Sequence, residues 1–246
     1  VIVVLPPSET KRDGGDGPPV DVEALSFTEL NPVRIALVDE LVALAADRPA
    51  SRAALGISAK QDAEIDRNAA LRTSPTMAAI DRYTGVLYDA LDIASLSGAA
   101  GDRAHARLAV GSALFGLLRA DDPVPAYRLS AGSKLPGPTL AARWRPALEP
   151  LLARLADGEL VVDLRSGSYA ALGRLPGAVT VDVVSERPDG SRAVVSHFNK
   201  AHKGRLARVL AAGHAEPDSA AKVAAAARRA GMTVERDGNR LTVVTQ

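Results

Sequence analysis

Val1 to Leu5 is an unbroken apolar run, β-branched at nearly every position and stopped by Pro6-Pro7. That pattern predicts a buried strand. Ser8 to Pro19 is polar and glycine-rich, a loop leaving the strand's carboxyl end, where ligand-binding groups commonly sit. Beyond about Arg12 we expect it to be partly disordered. A period of 3.6 then takes over. Asn31-Pro32 opens a helix carrying Leu37, Leu41 and Leu44 to about Ala46. A shorter helical piece covers Arg52–Leu55, Gly56-Ile57-Ser58 breaks it, and Ser58 caps a helix over Lys60–Leu71. Residues 33–71 therefore read as a helical hairpin. Two versions fit: an ordinary αα-hairpin, favoured by the single glycine in the turn, and a helix-hairpin-helix. Met77–Leu91 is expected to be helical, although Gly85 inside it costs about 1 kcal/mol relative to Ala, which points to close packing or ligand approach there. Asp102–Val110 is a further expected helix. Pro138-Thr139 opens a long helix to Leu155, split or kinked at Pro146 and Pro150.

The last third changes character. Leu160–Leu164, Val179–Ser185 and Arg192–Phe198 read as strands, the last two joined through Pro188-Asp-Gly190. Lys203–Ala211 and Ser219–Ala230 read as helices, and Thr233–Arg236 with Arg240–Val244 as a closing hairpin. Helices dominate the first two thirds and strands the remainder, with Val1–Leu5 joining the later sheet. The expected fold is α+β, one compact domain over 1–246 built on a mixed sheet. No internal repeat interrupts it.

Composition narrows the function classes. The chain has 246 residues, 47% of them apolar and only 3% aromatic, so each aromatic position stands out. It has no cysteine, which excludes disulfides, iron–sulfur clusters and thiolate zinc sites. Thirty basic against twenty-nine acidic residues give a net charge of +1. Nucleic-acid binding, if present, must rest on a local patch rather than on global charge. The opening apolar run is too short for a signal-peptide core or a membrane span, and no later run approaches that length. The expectation is a soluble cytoplasmic protein with no membrane partner.

Three segments carry candidate chemistry. Gly111 to Lys134 combines glycines, prolines, Tyr127 and the cations Arg119, Arg128 and Lys134 among apolar residues. Cations on a rigid, partly buried frame suit anion recognition; a structural turn with arginine caps is the equally weighted alternative. Asp163 to Tyr169 is a strand-to-turn segment in which Gly167 between Ser166 and Ser168 lets backbone N–H groups converge on an anion; a serine-rich turn ending in a core tyrosine is the plainer reading. Ser196 to Arg205 takes His197 and Phe198 from a strand end into a helix carrying Lys200, Lys203, Arg205 and Arg208, which favours phosphate; a solvated cationic face is the competing reading. His197 and His202 are spaced i, i+5, not as a helical ligand pair, and no carboxylate completes a set, so no metal and no cofactor are expected. No Gly-x-Ser-x-Gly elbow, Walker loop or dinucleotide fingerprint occurs. No catalytic residue is assigned.

Together these segments resemble the YaaA family of peroxide stress proteins, in its actinobacterial branch. The resemblance rests on Leu5-Pro-Pro-Ser-Glu-Thr-Lys11, Arg82-Tyr-Thr-Gly-Val-Leu-Tyr88, Ser112-Ala-Leu-Phe-Gly-Leu-Leu-Arg119, Tyr127-Arg-Leu-Ser-Ala-Gly-Ser-Lys-Leu135, Trp144, Val161-Val-Asp-Leu-Arg-Ser-Gly-Ser-Tyr169 and Val195-Ser-His-Phe-Asn-Lys200 with Lys203-Gly204, in family order across nearly the whole chain. It implies a compact α+β fold with a positively charged cleft and a helix-hairpin-helix element, DNA binding, and protection from peroxide damage tied to lower intracellular iron. The expected phosphate-binding residues are Lys11, Arg119, Arg128, Lys134, Lys200, Lys203 and Arg205. Ser8, Tyr83, Gly85, Tyr127, Gly132, Ser166, Tyr169 and Phe198 are expected to line the cleft, with an aromatic ring stacking on an exposed base. The chain departs from the family pattern at Ser130 and Ser168, where many members carry carboxylates, so a mechanism needing those groups is in doubt. Two functions follow as expectations: a DNA-binding protein of the bacterial oxidative stress response, with little sequence specificity, or an enzyme acting on a nucleotide-like or phosphorylated small molecule in the same cleft.

Overall fold

In a computed structural model, residues 1–187, 189–194 and 196–245 are described, together with all their side chains except those at 194 and 196–198. The chain runs β1 (Ile2–Leu5), β2 (Gly17–Pro19), α1 (Asn31–Leu44), α2 (Arg48–Leu55), α3 (Ala63–Ala69), β3 (Pro75–Ala78), α4 (Ala79–Arg82), α5 (Val86–Leu91) and α6 (Gly98–Arg107). It continues through β4 (Leu108–Ser112), β5 (Gly116–Arg119), β6 (Pro123–Val124), α7 (Leu140–Gly158), β7 (Val161–Asp163) and α8 (Gly167–Ala170). It closes with β8 (Val179–Glu186), β9 (Arg192–Val194), α9 (Ser196–Ala212), α10 (Ala220–Arg229), β10 (Thr233–Asp237) and β11 (Arg240–Thr245). The fold is α+β around one mixed sheet.

The main sheet has the order β10-β11-β8-β7-β1-β4-β5, with β9 continuing the β7 edge of β8. β4, β1, β7, β8 and β11 run parallel; β5, β9 and β10 run antiparallel to their neighbours. β1 is central and buried throughout, as its apolar run requires. From β1 the chain crosses over to β4 on one side; from β7 it passes to β8 on the other. The loops leaving β1 and β7 therefore diverge. This is a topological switch point, and the crevice between those two carboxyl ends is where open α/β sheets take ligands.

Several expectations need correction. The apolar stretch expected to extend a helix to Val110 is strand β4, buried on every residue between β1 and β5. A fully buried strand has no alternation to reveal it, so strands enter the middle of the chain and not only its last third. The expected helix Met77–Leu91 is three pieces. Its start is strand β3, and Tyr83–Gly85 separates α4 from α5. Gly85 adopts φ 102°, outside the helical region, and Tyr83 is extended and bridges to Lys11. The loop beyond Arg12 is held in place. Buried Arg82 donates to the carbonyls of Arg12, Gly14, Pro75 and Val124, and β2 pairs with β3. The strand expected over Arg192–Phe198 ends at Val194, and α9 begins at Ser196.

α7 is one helix despite Pro146 and Pro150. Thr139 caps it, and Trp144 anchors its buried face by donating to Ala113 O at 2.8 Å. α9 packs closely on α5 through Gly204, where a Cβ would meet Leu87 O at 2.2 Å. The hairpin of α2 and α3 turns at Gly56 in the left-handed region, and Arg48 and Arg52 are ion-paired to Asp62 and Asp66 within it. Arg48 and Arg52 thus serve the hairpin's own closure, whereas Arg67 of α3 pairs with Glu64 and with Asp13 of the loop after β1.

Candidate functional site

The loop leaving β1 buries Lys11, 8% exposed, in a close cluster of side chains against the rings of Tyr83 and Tyr127. Its Nζ donates to Ser8 O at 3.0 Å and Glu9 O at 3.5 Å, and lies 4.2 Å from the Tyr127 ring centre and 5.4 Å from that of Tyr83. Burial pulls the ammonium down to about 8, opposed by the attractive field of Glu9 and assisted by repulsion from Arg128. Glu64 and Arg67 act on it from α3, again with opposite signs. The field at Lys11 is therefore mixed, with two carboxylates set against two guanidinium groups.

Tyr83 and Tyr127 share a hydrogen bond of 2.7 Å, and Ser112 Oγ lies 2.7 Å from the Tyr127 hydroxyl. Burial raises both phenols, Tyr83 to about 12, so both are neutral at pH 7. Their rings are packed: Tyr83 stacks on Tyr88, and Tyr127 meets Tyr83 and Phe115 edge-on. Neither of these two rings is free to stack on a base. The backbone of Arg128 is clamped by Asn68, whose amide donates to Arg128 O and accepts from Arg128 N, both at 2.8 Å. Arg128 Nη2 reaches Glu9 Oε2 at 3.4 Å, and its buried Nε has no protein acceptor. From the β7 side, α8 presents Tyr169, whose hydroxyl meets Glu9 Oε1 at 3.4 Å and the Ala131 backbone. Burial, then Glu9, hold that phenol well above its ordinary range. Glu9 thus links the β1 and β7 sides of the crevice.

The structure brings Lys11, Tyr83, Tyr127, Arg128 and Tyr169 together, with Ser8 contributing its carbonyl. Gly85 lies at the rim, facing the hydroxyls of Ser8 and Thr10. Gly132 follows the Ala131 contact, and Ser166 heads α8 with its hydroxyl 3.2 Å from Ser168 Oγ. Lys203 sits at the end of β7, donating to Leu164 O at 3.1 Å; burial lowers it while Asp163 and Asp182 support its charge. Lys200 lies one turn earlier on α9 and is exposed. Lys134 is exposed too, its backbone N–H bound to Ala54 O at 2.7 Å.

Two of the expected cations lie elsewhere. Arg119 pairs with Ala109 at the beginning of β4, at the sheet's amino-end side, where it donates to Ala106 O and covers Phe27. Because β5 runs antiparallel, it carries its last residue away from the crevice. Arg205 lines a separate groove of about 1090 Å³ between α9, the turn after α10 and the ends of β8 and β11, with Arg187, His202 and Arg208. That groove shares no lining residue with the Lys11 chamber. The side chain of Phe198 lies outside the described residues. Three contributors were missed by the sequence reading: Asn68, Ser112 and the carboxylate of Glu9. Glu9 and Ser112 lay inside recognised motifs, whereas a buried polar residue within a helix gives Asn68 no sequence signal.

Among the described residues, no group of three or more His, Asp or Glu side chains is arranged to hold a metal ion, and no helix is long and apolar enough to cross a membrane.

The family model described as peroxide stress protein YaaA matches residues 1–235. A UPF0246 protein of Corynebacterium efficiens is 51% identical over all of this chain and 99% of its own length. One from Streptomyces coelicolor is 43% identical, covering 96% of this chain and 93% of its own. An uncharacterised protein of Campylobacter jejuni is 26% identical over 85% of this chain and 84% of its own length.

Proposed function

From the chain's membership of the YaaA peroxide stress protein family, to which it belongs, we infer a DNA-binding role in the peroxide stress response, with phosphates received at the β1–β7 crevice. The observation that carries this reading is the Arg128 guanidinium. Asn68 clamps the backbone that carries it, it lies near Lys11, and its buried Nε–H has no protein acceptor. Buried donors in native proteins are satisfied with few exceptions, and an unfilled one at a switch-point crevice marks a place for an acceptor. Lys134 and Lys200 are both exposed, as outer cations contacting a polymer must be.

Duplex and branched DNA titrated at two salt concentrations test this. With about three or four phosphates contacted, affinity falls roughly 40- to 150-fold between about 50 and 200 mM salt. Arg128→Ala weakens binding at both, and Lys200→Ala reduces the salt slope. Affinity that ignores salt and both substitutions contradicts the reading.

A second reading has its own support. Lys11, Tyr83 and Tyr127 are too recessed for a duplex backbone to touch, and a small phosphorylated molecule can approach such recessed groups more closely than a duplex. Tight binding or turnover of a member of a nucleotide panel, with no salt-dependent DNA binding, favours this second reading.

A further inference from the structure

The crevice carries a carboxylate of its own where an anionic ligand is wanted. Glu9 reaches Arg128 with one oxygen and Tyr169 with the other, each at 3.4 Å. Charge-assisted bonds close to about 2.7–2.9 Å, so both contacts are loose. The Glu9 side chain is 43% exposed, whereas that of Arg128 is 17% exposed and Tyr169 is buried. Asn68 fixes the Arg128 backbone, and Lys11 holds the carbonyls of Ser8 and Glu9. The Glu9 side chain alone is thus free to swing into solvent, with no movement of its loop.

Donors outnumber acceptors around it. Arg128 Nε remains without an acceptor even with Glu9 in place. The hydroxyl chain behind it also has a surplus. Ser112 Oγ accepts from the N–H groups of Leu114 and Phe115, which fills its lone pairs and obliges it to donate to Tyr127. Three hydroxyl protons then serve two links, leaving one phenolic O–H of the Tyr83–Tyr127 pair unused. A carboxylate with both oxygens engaged leaves the Arg128 Nε–H without an acceptor; a phosphate group presents more oxygens.

We propose that Glu9 is a built-in competitor: its carboxylate holds the oxyanion position between Arg128 and Tyr169, and a ligand phosphate binds by displacing it into solvent. The proposal rests on the reading of the crevice as a phosphate site and adds the residue that sets its affinity. The phosphate is either free or part of a nucleic acid.

Calorimetric titration of the full chain with inorganic phosphate, and with a single-stranded oligonucleotide lacking a terminal phosphate, tests it at constant ionic strength. Glu9→Gln removes the competitor. Glu9→Asp keeps the charge but is one methylene too short to bridge both partners. Both are expected to tighten phosphate roughly 5- to 10-fold, the factor recovered when a position occupied most of the time is vacated. Glu64→Gln removes an equal charge near Lys11 without vacating the position and is expected to change affinity less than about 2-fold. Tightening confined to inorganic phosphate assigns the position to a small ligand; tightening of both probes assigns it to backbone phosphates as well. If Glu9→Asp leaves phosphate affinity unchanged or weaker while Arg128→Ala still weakens DNA binding, displacement is wrong and the phosphate crevice survives. If neither probe binds any variant, both fall. Urea midpoints of the Glu9 variants matching the wild type confirm that affinity, not folding, has moved.

Discussion

Arg82-Tyr83 and Tyr127-Arg128 bring the same two residue types to one chamber in mirrored order, and the two phenols bond to each other. The arginines beside them behave differently. Every nitrogen of Arg82 donates to backbone carbonyls, and it tethers the glycine-rich loop to β3 and β6. Arg34 is similar: fully buried, it donates to Phe115 O, Leu117 O and Asn31, and burial lowers it to about 10. Arg128 is clamped through its backbone instead, so its guanidinium is positioned yet incompletely used. A buried cation whose donors all find carbonyls is part of the frame. One that is held in place with a donor left over is prepared for something the chain does not supply.

The largest effect that distinguishes the two is on stability. Arg82→Ala leaves four carbonyls without their donor and is expected to cost on the order of 3–5 kcal/mol in urea denaturation, with proteolysis within residues 12–16. Arg128→Ala is expected to cost under about 1 kcal/mol, since the Asn68 clamp uses only backbone atoms. Equal losses for the two variants would break the comparison.

Lys11 sharpens it at a smaller scale. Its ammonium titrates near 8 in the fold against 10.5 ordinarily, with burial as the leading cause. Between those values the unfolded chain binds the proton and the native chain does not, so stability rises with pH across that window. Below about pH 8 the charged form is retained at a cost. Lys11→Met is therefore expected to stabilise the protein by up to about 3 kcal/mol at pH 7, an advantage that fades between pH 8 and 10.5. Denaturation midpoints at pH 7 and pH 10 read this directly. A Lys11→Met variant less stable at pH 7 would show that the tyrosine rings and loop carbonyls outweigh burial.

The sequence was legible where a local pattern and its tertiary setting agreed. The central strand at Val1–Leu5, the helix opened by Asn31-Pro32 and the closing hairpin at Asp237-Gly238 were all read correctly. It misled at Leu108–Ser112, where burial on both faces erased the alternation that identifies a strand, and at Tyr83–Gly85, where two short helices happen to keep a common period across a break. That break aims Tyr83 into the chamber, so local pattern failed at a residue the site needs. Lys11, Arg128, Tyr127 and Tyr169 were found through their motifs. The parts that finish the site depend on partners distant in sequence: Asn68 and Arg128 are 60 residues apart, Glu9 and Tyr169 160. Arg119 was misplaced for a related reason. A cation at the end of a strand reads the same whichever way the strand runs, and only the sheet's order shows that β5 runs away from the crevice.

The most direct measurement follows the Arg128 Nε–Hε resonance in arginine-labelled protein as inorganic phosphate is added. The account predicts a saturable shift of that resonance and slower exchange of its proton with water, with the Arg34 and Arg82 resonances unmoved. A titration that leaves Arg128 in place while shifting Arg187 or Arg205, in the separate groove beside α9, would contradict it.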